Sequence, residues 1–276
     1  MLSARRLLAQ AGIRPKKRYA QNFLENGSAA RRIARLCLEG GPQGARTLEI
    51  GAGTGTLTQA LLEEGADVTA IEIDPNLVAL LRSRDDLTRA RIIHADALEF
   101  DYLKWSSNQA WRAAGNLPYN VATPVLMALI EMEGGPDSLT VMLQKDVADR
   151  LAAKPATAAY GSLSVAVQYA MRVEPSFTLA PGSFFPPPKV ESRVVRLVRL
   201  PVPAVRPRDL PTFWKVVRGA FAYRRKTLPN ALSLALGIDR AKVVRALELS
   251  KLSAELRGER LDLGDFARLA DALAEE

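Results

Sequence analysis

The sequence predicts an α/β fold built on a parallel sheet, followed by a small all-helical C-terminal domain. Between Ala45 and Leu200, short apolar runs alternate with segments of helical periodicity, which is typical of strands joined by crossover helices. Three prolines between residues 201 and 207 then interrupt the chain, and nothing strand-like follows them. The length of 276 residues suits one large domain or a medium domain plus a small one, and the change in composition favours the second. We therefore predict a boundary near residue 206, with domains at 1–206 and 207–276.

Each predicted element rests on a local signal, either an apolar run bounded by turn residues or apolar positions at helical spacing. Parallel strands are expected at Thr47–Ile50, Val68–Ile73, Arg91–His94, Arg112–Ala114 and Leu139–Leu143. Helices are expected after a cap at Ser28, over Leu57–Glu64, after Pro75 and over Val125–Ile130. Val194–Leu200 alternates as a last, partly exposed strand, and Leu210 to Glu276 reads as short helices.

The composition argues against several classes of protein. A single cysteine, Cys37, rules out an intramolecular disulfide. Together with a single histidine, His94, it also argues against a zinc site and against Ser-His or Cys-His nucleophiles. We expect both side chains to be packing residues and expect no metal. Because no apolar run is long enough to cross a bilayer and no secretory signal is present, the chain is predicted to be soluble and cytoplasmic, with no membrane partner.

The net charge of +8 is concentrated in two segments. Residues 1–35 hold nine Lys and Arg with one acid, and residues 189–226 hold eleven with two acids. Two basic flanks around an acidic centre favour a polyanionic partner, although solvated basic faces are the simpler alternative. An anionic membrane is disfavoured, because Arg14–Arg18 carries no bulky apolar face opposite its charges.

A glycine-rich turn follows the first predicted strand. Gly51, Gly53 and Gly55 stand where the strand ends and a helix begins, so the backbone can turn sharply and a ligand can approach it closely. The G-x-G-x-G spacing differs from the G-x-G-x-x-G of dinucleotide enzymes. Glu72 at the tip of the second strand can accept both hydroxyls of a ribose, and Asp96 beyond the third strand can accept an adenine amino group. These features in this order resemble S-adenosylmethionine-dependent methyltransferases.

The tetrapeptide Asn116-Leu117-Pro118-Tyr119 follows the fourth predicted strand. It resembles the signature of methyltransferases that act on exocyclic amines of nucleobases. The lone pair of adenine N6 is delocalised into the ring, so acceptors from the Asn116 side chain and from the Leu117 or Pro118 carbonyl would favour a more nucleophilic nitrogen. Tyr119 would stack on the extruded base. An Asn-Pro turn with a surface tyrosine is the alternative.

With these residues in place, the chain resembles the ribosomal RNA adenine dimethyltransferase family over nearly its whole length. The resemblance implies a Rossmann-like class I S-adenosylmethionine-dependent methyltransferase domain with a small helical domain after it. Gln21–Leu24 is similar to the family segment that precedes the fold, where Asn22 and Leu24 would close over the cofactor. Pro181–Ser192 resembles the loop beside the target base, and we expect Phe184 there as a second stacking ring, held in an exposed loop by its prolines. Phe221–Leu228 resembles a basic helical segment that meets RNA.

Together these features give three predicted sets of functional residues. The catalytic set is Asn116, Leu117, Pro118, Tyr119 and Phe184. The set that binds S-adenosylmethionine is Asn22, Leu24, Glu49, Gly51, Gly53, Glu72, Ile73, Asp96, Ala97 and Asn116. The RNA-binding set is Arg14, Lys16, Lys17, Arg18, Arg224, Arg225 and Lys226.

The resemblance implies dimethylation of N6 on two adjacent adenosines near the 3′ end of 16S rRNA, with the 30S subunit or its precursor as partner and a monomeric enzyme. A 23S rRNA dimethyltransferase of the macrolide-resistance type is the nearest alternative, and the segment Phe221–Leu228 with the helices after it favours the small-subunit branch. A non-catalytic ribosome-assembly factor is a third possibility, against which the intact Glu72, Asp96 and Asn116 argue. A nicotinamide-dependent dehydrogenase is disfavoured by the missing G-x-G-x-x-G.

Overall fold

The computed structural model describes residues 3–118 and 121–275. These residues group into two compact units, one formed by residues up to 148 with 173–199, the other by 149–172 with those from 200 onward. The predicted boundary near residue 206 assigns 149–172 to the first domain, whereas these residues pack in the second unit. As a division between independently folding domains, that boundary stays a prediction.

The strands in the described part of the chain are β1 Phe23–Leu24, β2 Arg46–Ile50, β3 Asp67–Glu72, β4 Arg91–His94, β5 Arg112–Asn116, β6 Ser138–Gln144, β7 Met171–Leu179, β8 Phe184–Phe185 and β9 Ser192–Arg199. The helices are α1 Ala4–Gln10, α2 Gly27–Leu38, α3 Thr56–Glu63, α4 Pro75–Arg82, α5 Tyr102–Ser106, α6 Ala122–Glu131, α7 Lys145–Leu151, α8 Ser162–Ala170, α9 Leu210–Ala222, α10 Leu228–Leu236, α11 Arg240–Leu249 and α12 Leu263–Glu275.

A seven-stranded sheet with the order β4-β3-β2-β5-β6-β9-β7 organises the first unit. Strands β2 to β6 run parallel to one another, and β9 pairs antiparallel with β6. The five predicted parallel strands are therefore confirmed. Because β2, β3, β4 and β5 all end at the same edge of the sheet, the residues that follow them are brought together.

The prediction missed the edge strand β7. Its sequence contains Pro175, which cannot donate a hydrogen bond to a sheet ladder and so argues against a central strand. Proline is tolerated at the edge of a sheet, where an unpaired backbone nitrogen faces outward, and β7 occupies that position in the strand order.

Three local predictions have different outcomes. Helix α2 begins two residues earlier than expected, and the Asn26 side chain, not Ser28, caps it by accepting from the Ala29 N–H. Cys37 is fully buried on α2 as predicted, and burial raises its thiol pKa to about 12, so it is an inert packing residue. The packing role predicted for His94 is wrong: the ring is exposed, and Nε2 lies 3.1 Å from the Ile73 carbonyl oxygen.

The second unit is built from α8 to α12 around a core of apolar side chains. Phe213 and Val217 on α9 pack with Leu232 on α10 and with Phe266 on α12, and all four are buried. The absence of strands after β9 in the described residues confirms the predicted all-helical end of the chain. No helix in the part described is long and apolar enough to cross a membrane.

Candidate active site

A cleft opens at the carboxyl edge of β2, β3 and β5, and the turn after β2 forms one wall of it. Gly51, Gly53 and Gly55 all adopt positive φ angles, of 73°, 57° and 83°, which side chains strongly disfavour. The Gly51 N–H donates to the Ile71 carbonyl at 2.9 Å, which ties the turn to β3. A Cβ at Gly51 would meet nothing closer than 3.7 Å, so the missing side chain leaves backbone open to the cleft.

Glu72 lies at the end of β3, where the sequence placed it, and only 5% of it is exposed. One carboxylate oxygen accepts the Gly53 N–H at 2.8 Å, and the other accepts the Asp74 N–H at 2.9 Å. Burial raises the pKa of Glu72, although these backbone hydrogen bonds oppose that effect. The carboxylate therefore holds the glycine turn and the start of α4 while lining the cleft.

Glu49 is a second buried carboxyl group in the cleft wall. Its Oε2 accepts the Thr58 hydroxyl of α3 at 2.5 Å. Burial raises the pKa of Glu49 to about 8; the Thr58 hydrogen bond opposes that rise and the nearby charge of Glu72 adds to it. The predicted cofactor residue is therefore protonated near neutral pH.

The residues after β3 and β4 line the same cleft. Ile73, Asp96 and Ala97 all face it, as their places in the sequence predicted. Asp96 Oδ1 accepts the Leu98 N–H at 2.9 Å, and the Tyr102 hydroxyl donates to the Ala97 carbonyl at 2.5 Å. This loop is thus held by its own hydrogen bonds with an acidic side chain at the cleft.

The N-terminal segment forms the facing wall. Asn22 and Leu24 line the cleft, and Leu24 is buried. Opposite them, Asn116 ends β5, and its Nδ2 donates to the Asn22 carbonyl oxygen at 2.8 Å. Because a carbonyl can only accept, this contact fixes which end of the Asn116 carboxamide faces Asn22 and leaves Oδ1 as an acceptor for another group.

The other predicted catalytic residues differ in their placement. Leu117 is buried and Pro118 is partly exposed, and both line the cleft. Tyr119 lies outside the described residues. The exposed loop predicted around Phe184 is wrong for that residue, because Phe184 in β8 pairs with Leu24 and is only 3% exposed within the apolar core. Its stacking role therefore stays a prediction that this arrangement does not support.

The predicted RNA-binding residues fall in two places. In the first unit, Lys16 is not free, since its Nζ lies 2.7 Å from Oδ1 of the buried Asp74. The Arg18 guanidinium stacks on the Tyr19 ring at 4.6 Å, while the side chains of Arg14 and Lys17 are exposed.

In the second unit, the predicted basic helical segment is instead a turn between α9 and α10. Arg224 donates to the Ala158 carbonyl at 3.1 Å, and Arg225 and Lys226 are exposed on the turn. The helix prediction was wrong, because helix α9 ends at Ala222 and Tyr223 separates it from the three consecutive basic residues.

Two residues of the site, Asp74 and Thr58, are not among those predicted from the sequence. Asp74 caps α4 by accepting the Asn76 N–H, and an aspartate directly before a proline at a helix start is the signal that could have identified it. Thr58 has no comparable signal, because its contact with Glu49 depends on how α3 packs against β2.

Known proteins resemble this chain over most of its length. The family described as ribosomal RNA adenine dimethylase matches residues 12–273. The chain belongs to the ribosomal RNA adenine dimethylase family. This membership confirms the predicted class, an S-adenosylmethionine-dependent methyltransferase with a Rossmann-like fold.

Two relatives within the adenine dimethylase family carry the same name, ribosomal RNA small subunit methyltransferase A. The protein from Hahella chejuensis is 41% identical over 263 residues, which cover 94% of this chain and 93% of that protein. The protein from Pseudomonas aeruginosa is 42% identical over 264 residues, which cover 95% of this chain and 96% of that protein.

Two crystal structures share the fold. A dimethyladenosine transferase from Plasmodium falciparum superposes with a TM-score of 0.72 at 23% identity, covering 90% of this chain and 95% of that one. The 23S rRNA methyltransferase ErmE superposes with a TM-score of 0.70, also at 23% identity, covering 92% of this chain and 100% of that one. At this identity the likeness concerns the fold alone.

Proposed function

We propose that this protein dimethylates N6 of two adjacent adenosines near the 3′ end of 16S rRNA, within the 30S subunit or its precursor. The observation that carries the proposal is the 41–42% identity, over nearly the whole chain, to two proteins named as small-subunit RNA methyltransferases. The cleft supports it, because Glu72, Asp96 and Asn116 all face one space at the carboxyl edge of the sheet. We further propose that the enzyme acts as a monomer in the cytoplasm.

The cleft fits S-adenosylmethionine by its backbone and by its acceptors. The turn at Gly51 exposes backbone where a side chain would otherwise stand. The carboxyl groups of Glu72 and Asp96 supply acceptors, which suits a ligand whose ribose hydroxyls, adenine amino group and methionine ammonium are all donors. Asn22 and Leu24 would cover it from the N-terminal side. When bound, the cofactor supplies a methyl group already activated by a sulfonium.

The protein's own part in the reaction is to position the amine. Asn116 Oδ1 would accept one N6 hydrogen, while the backbone carbonyl of Leu117 or Pro118 would accept the other. Holding both hydrogens out of the ring plane returns lone-pair density to the nitrogen. Because the methyl group is already activated, alignment matters more than strong base catalysis, which agrees with a site built without histidine in the described residues.

The test is methyl transfer to isolated particles. Unmethylated 30S and 50S subunits are incubated separately with methyl-labelled S-adenosylmethionine, and the modified nucleosides are identified and mapped. We expect dimethyladenosine in 16S rRNA of the 30S subunit. Label confined to 23S rRNA would overturn the proposal in favour of the large-subunit alternative, and binding to 30S without transfer would favour an assembly factor.

A further inference from the structure

The carboxylate of Asp74 connects the start of α4 to the N-terminal segment. Its side chain is fully buried, with no exposed surface, so its charge requires partners. Lys16 Nζ lies 2.7 Å from Oδ1, and Gln21 Nε2 donates to Oδ2 at 3.1 Å. Burial acts to raise the pKa of Asp74, but these two hydrogen bonds, the one from the Asn76 N–H and the charge of Lys16 together outweigh it, so the pKa lies below its ordinary value and the group is ionised.

Lys16 and Gln21 are also hydrogen-bonded to each other. The Lys16 N–H donates to Gln21 Oε1 at 2.7 Å, and a short 3-10 turn at Lys17–Tyr19 fills the space between them. The Asp74 carboxylate therefore binds the side chains at both ends of a six-residue loop, residues 16–21. We call Asp74, Lys16 and Gln21 the Asp74 latch, and residues 16–24 the arm.

The residue after the latch contacts the catalytic asparagine. Asn22 follows Gln21 directly, and its carbonyl accepts the Asn116 carboxamide at 2.8 Å. Phe23 comes next and packs with Leu77 of α4 in a small apolar cluster, which holds the arm on the same helix that Asp74 caps. The orientation of Asn116 thus depends on where the arm lies.

We propose that the Asp74 latch positions the arm so that the Asn22 carbonyl turns Asn116 Oδ1 toward the target amine. A carboxamide has a donor end and an acceptor end, and a flipped Asn116 would present N–H groups to an amine that needs acceptors. The latch residues are positioning residues that act through Asn116. This inference rests on the proposed methyl transfer, and it gives Lys16 a different role from the phosphate contact predicted from the sequence.

The first experiment measures the chemical step. Asp74→Asn removes the charge but keeps an oxygen that can cap α4, and Lys16→Met removes the ammonium. The rate is measured under single-turnover conditions, with saturating cofactor and with the ribosomal particle that the wild type methylates. We expect both variants to be about 10- to 100-fold slower than the wild type. This loss is smaller than the one on the order of 10²–10³ expected when an acceptor is missing altogether. Lys16→Arg should restore most of the rate.

A double-variant cycle tests whether the effect passes through Asn116. Once Asn116 is alanine, its orientation is irrelevant, so adding Asp74→Asn should slow the reaction little further. Fully additive losses would overturn the inference. So would an unchanged rate in Lys16→Met with weaker particle binding and a flatter salt dependence, because that result assigns Lys16 to RNA phosphate.

A second readout does not depend on activity. Amide hydrogen exchange within residues 16–24 should accelerate in Asp74→Asn and in Lys16→Met, because the arm is then no longer attached to α4 by an ion pair. The matched control is Arg35→Met with Glu64→Gln, which removes an ion pair of similar length, 2.8 Å, between α2 and the residue after α3. Unchanged exchange in the arm would overturn the proposal of the Asp74 latch, whether or not the wild type is active. A wild type that is inactive on every particle would contradict only the proposed function.

Discussion

At the scale of single residues, the cleft holds two carboxyl groups whose pKa is raised by burial. Glu72 offsets part of that effect with two backbone hydrogen bonds, whereas Glu49 has one hydroxyl partner, Thr58. A protonated Glu49 limits repulsion between the two groups near neutral pH. The site can therefore keep Glu72 as an acceptor beside a second acidic side chain.

The raised pKa of Glu49 makes stability depend on pH. In the folded protein the group keeps its proton up to about pH 8, whereas in the unfolded chain it releases it near 4.5. The stabilisation from this group is therefore complete below pH 4.5 and is lost as the pH rises to about 8. Over that range the free energy of unfolding falls by up to about 1.4 kcal/mol per pH unit. We expect the free energy of unfolding of Glu49→Gln to fall less between pH 5 and pH 8 than that of the wild type.

Urea unfolding at pH 5, 6.5 and 8 measures this difference. The control is Glu63→Gln, a neighbouring glutamate on α3 that is exposed. If the wild type and Glu49→Gln lose stability in parallel across this range, the assignment of a raised pKa to Glu49 is wrong.

The second residue prediction concerns Asn116. Asn116→Ala removes the acceptor while leaving the glycine turn, Glu72 and Asp96 in place, so cofactor affinity should fall far less than the rate, and particle affinity should change little. The rate of methyl transfer should fall on the order of 10²–10³. Single-turnover kinetics beside calorimetric titration of S-adenosylmethionine separates the two, and a near wild-type rate would refute the proposed geometry.

At the scale of elements, the glycine turn has two positions of similar backbone shape and different surroundings. Gly55 caps α3 at a φ of 83°, and a Cβ there would lie 2.7 Å from Leu87 Cδ1 and 2.8 Å from Leu81 Cδ2. Gly51 has a φ of 73°, and the atoms nearest to a Cβ are 3.7 Å away. Both positions disfavour a side chain, but only Gly55 lacks room for one.

We therefore expect Gly55→Ala to lower the free energy of unfolding by roughly 2–4 kcal/mol, combining strain from positive φ with overpacking. Gly51→Ala should lower it by about 1–2 kcal/mol, from backbone strain alone. Chemical denaturation of both variants checks the order. Equal losses would show that the surroundings of Gly55, Leu81 and Leu87, relax freely.

At the scale of the whole molecule, the basic residues of the sequence divide by what they contact. In the first unit Lys16 pairs with Asp74, and Arg196 pairs with Glu174 at 2.9 Å, so part of the basic charge stabilises the fold. In the second unit, the turn between α9 and α10 presents Arg225 and Lys226 to solvent. Those two residues are therefore better candidates for phosphate contacts than Lys16 and Arg196.

Replacing Arg225 and Lys226 together with Gln should weaken binding to ribosomal particles without changing cofactor affinity. Removing one cation that neutralises a phosphate lowers the slope of log affinity against log salt by roughly 0.7–0.9, so the slope should flatten by up to about 1.4–1.8. Arg224 is left unchanged, because its guanidinium donates a hydrogen bond to the Ala158 carbonyl and so stabilises the turn. Filter binding across a salt series gives the slope.

The control for that measurement is Arg91→Gln with Lys104→Gln. Both residues are exposed cations, and Arg91 starts β4 at the edge of the sheet opposite the cleft. A slope that changes equally in both double variants would indicate a general loss of positive charge, and an unchanged slope in Arg225→Gln with Lys226→Gln would leave the turn without its assigned role.

Much of the site could be predicted because its chemistry lies in short segments tied to strand ends. Gly51, Glu72, Asp96 and Asn116 each follow or end a parallel strand, and such strands all end at one edge of the sheet. What failed were statements about exposure. Phe184 lies among prolines, yet it pairs with Leu24 and is buried, and the pairing of β8 with β1 joins residues about 160 positions apart in the chain.

Local periodicity and motifs of a few residues were enough to predict the parallel sheet, the helical end of the chain and the family, and to place the candidate site at the carboxyl edge of the sheet. The packing of distant segments, in contrast, sets which basic residues are paired with acids and which way the Asn116 carboxamide faces. Lys16 resembles its basic neighbours in the sequence, but packing brings it to the buried Asp74, whose charge must be paired. Contacts between distant segments depend on how elements pack, and that information is absent from any local pattern.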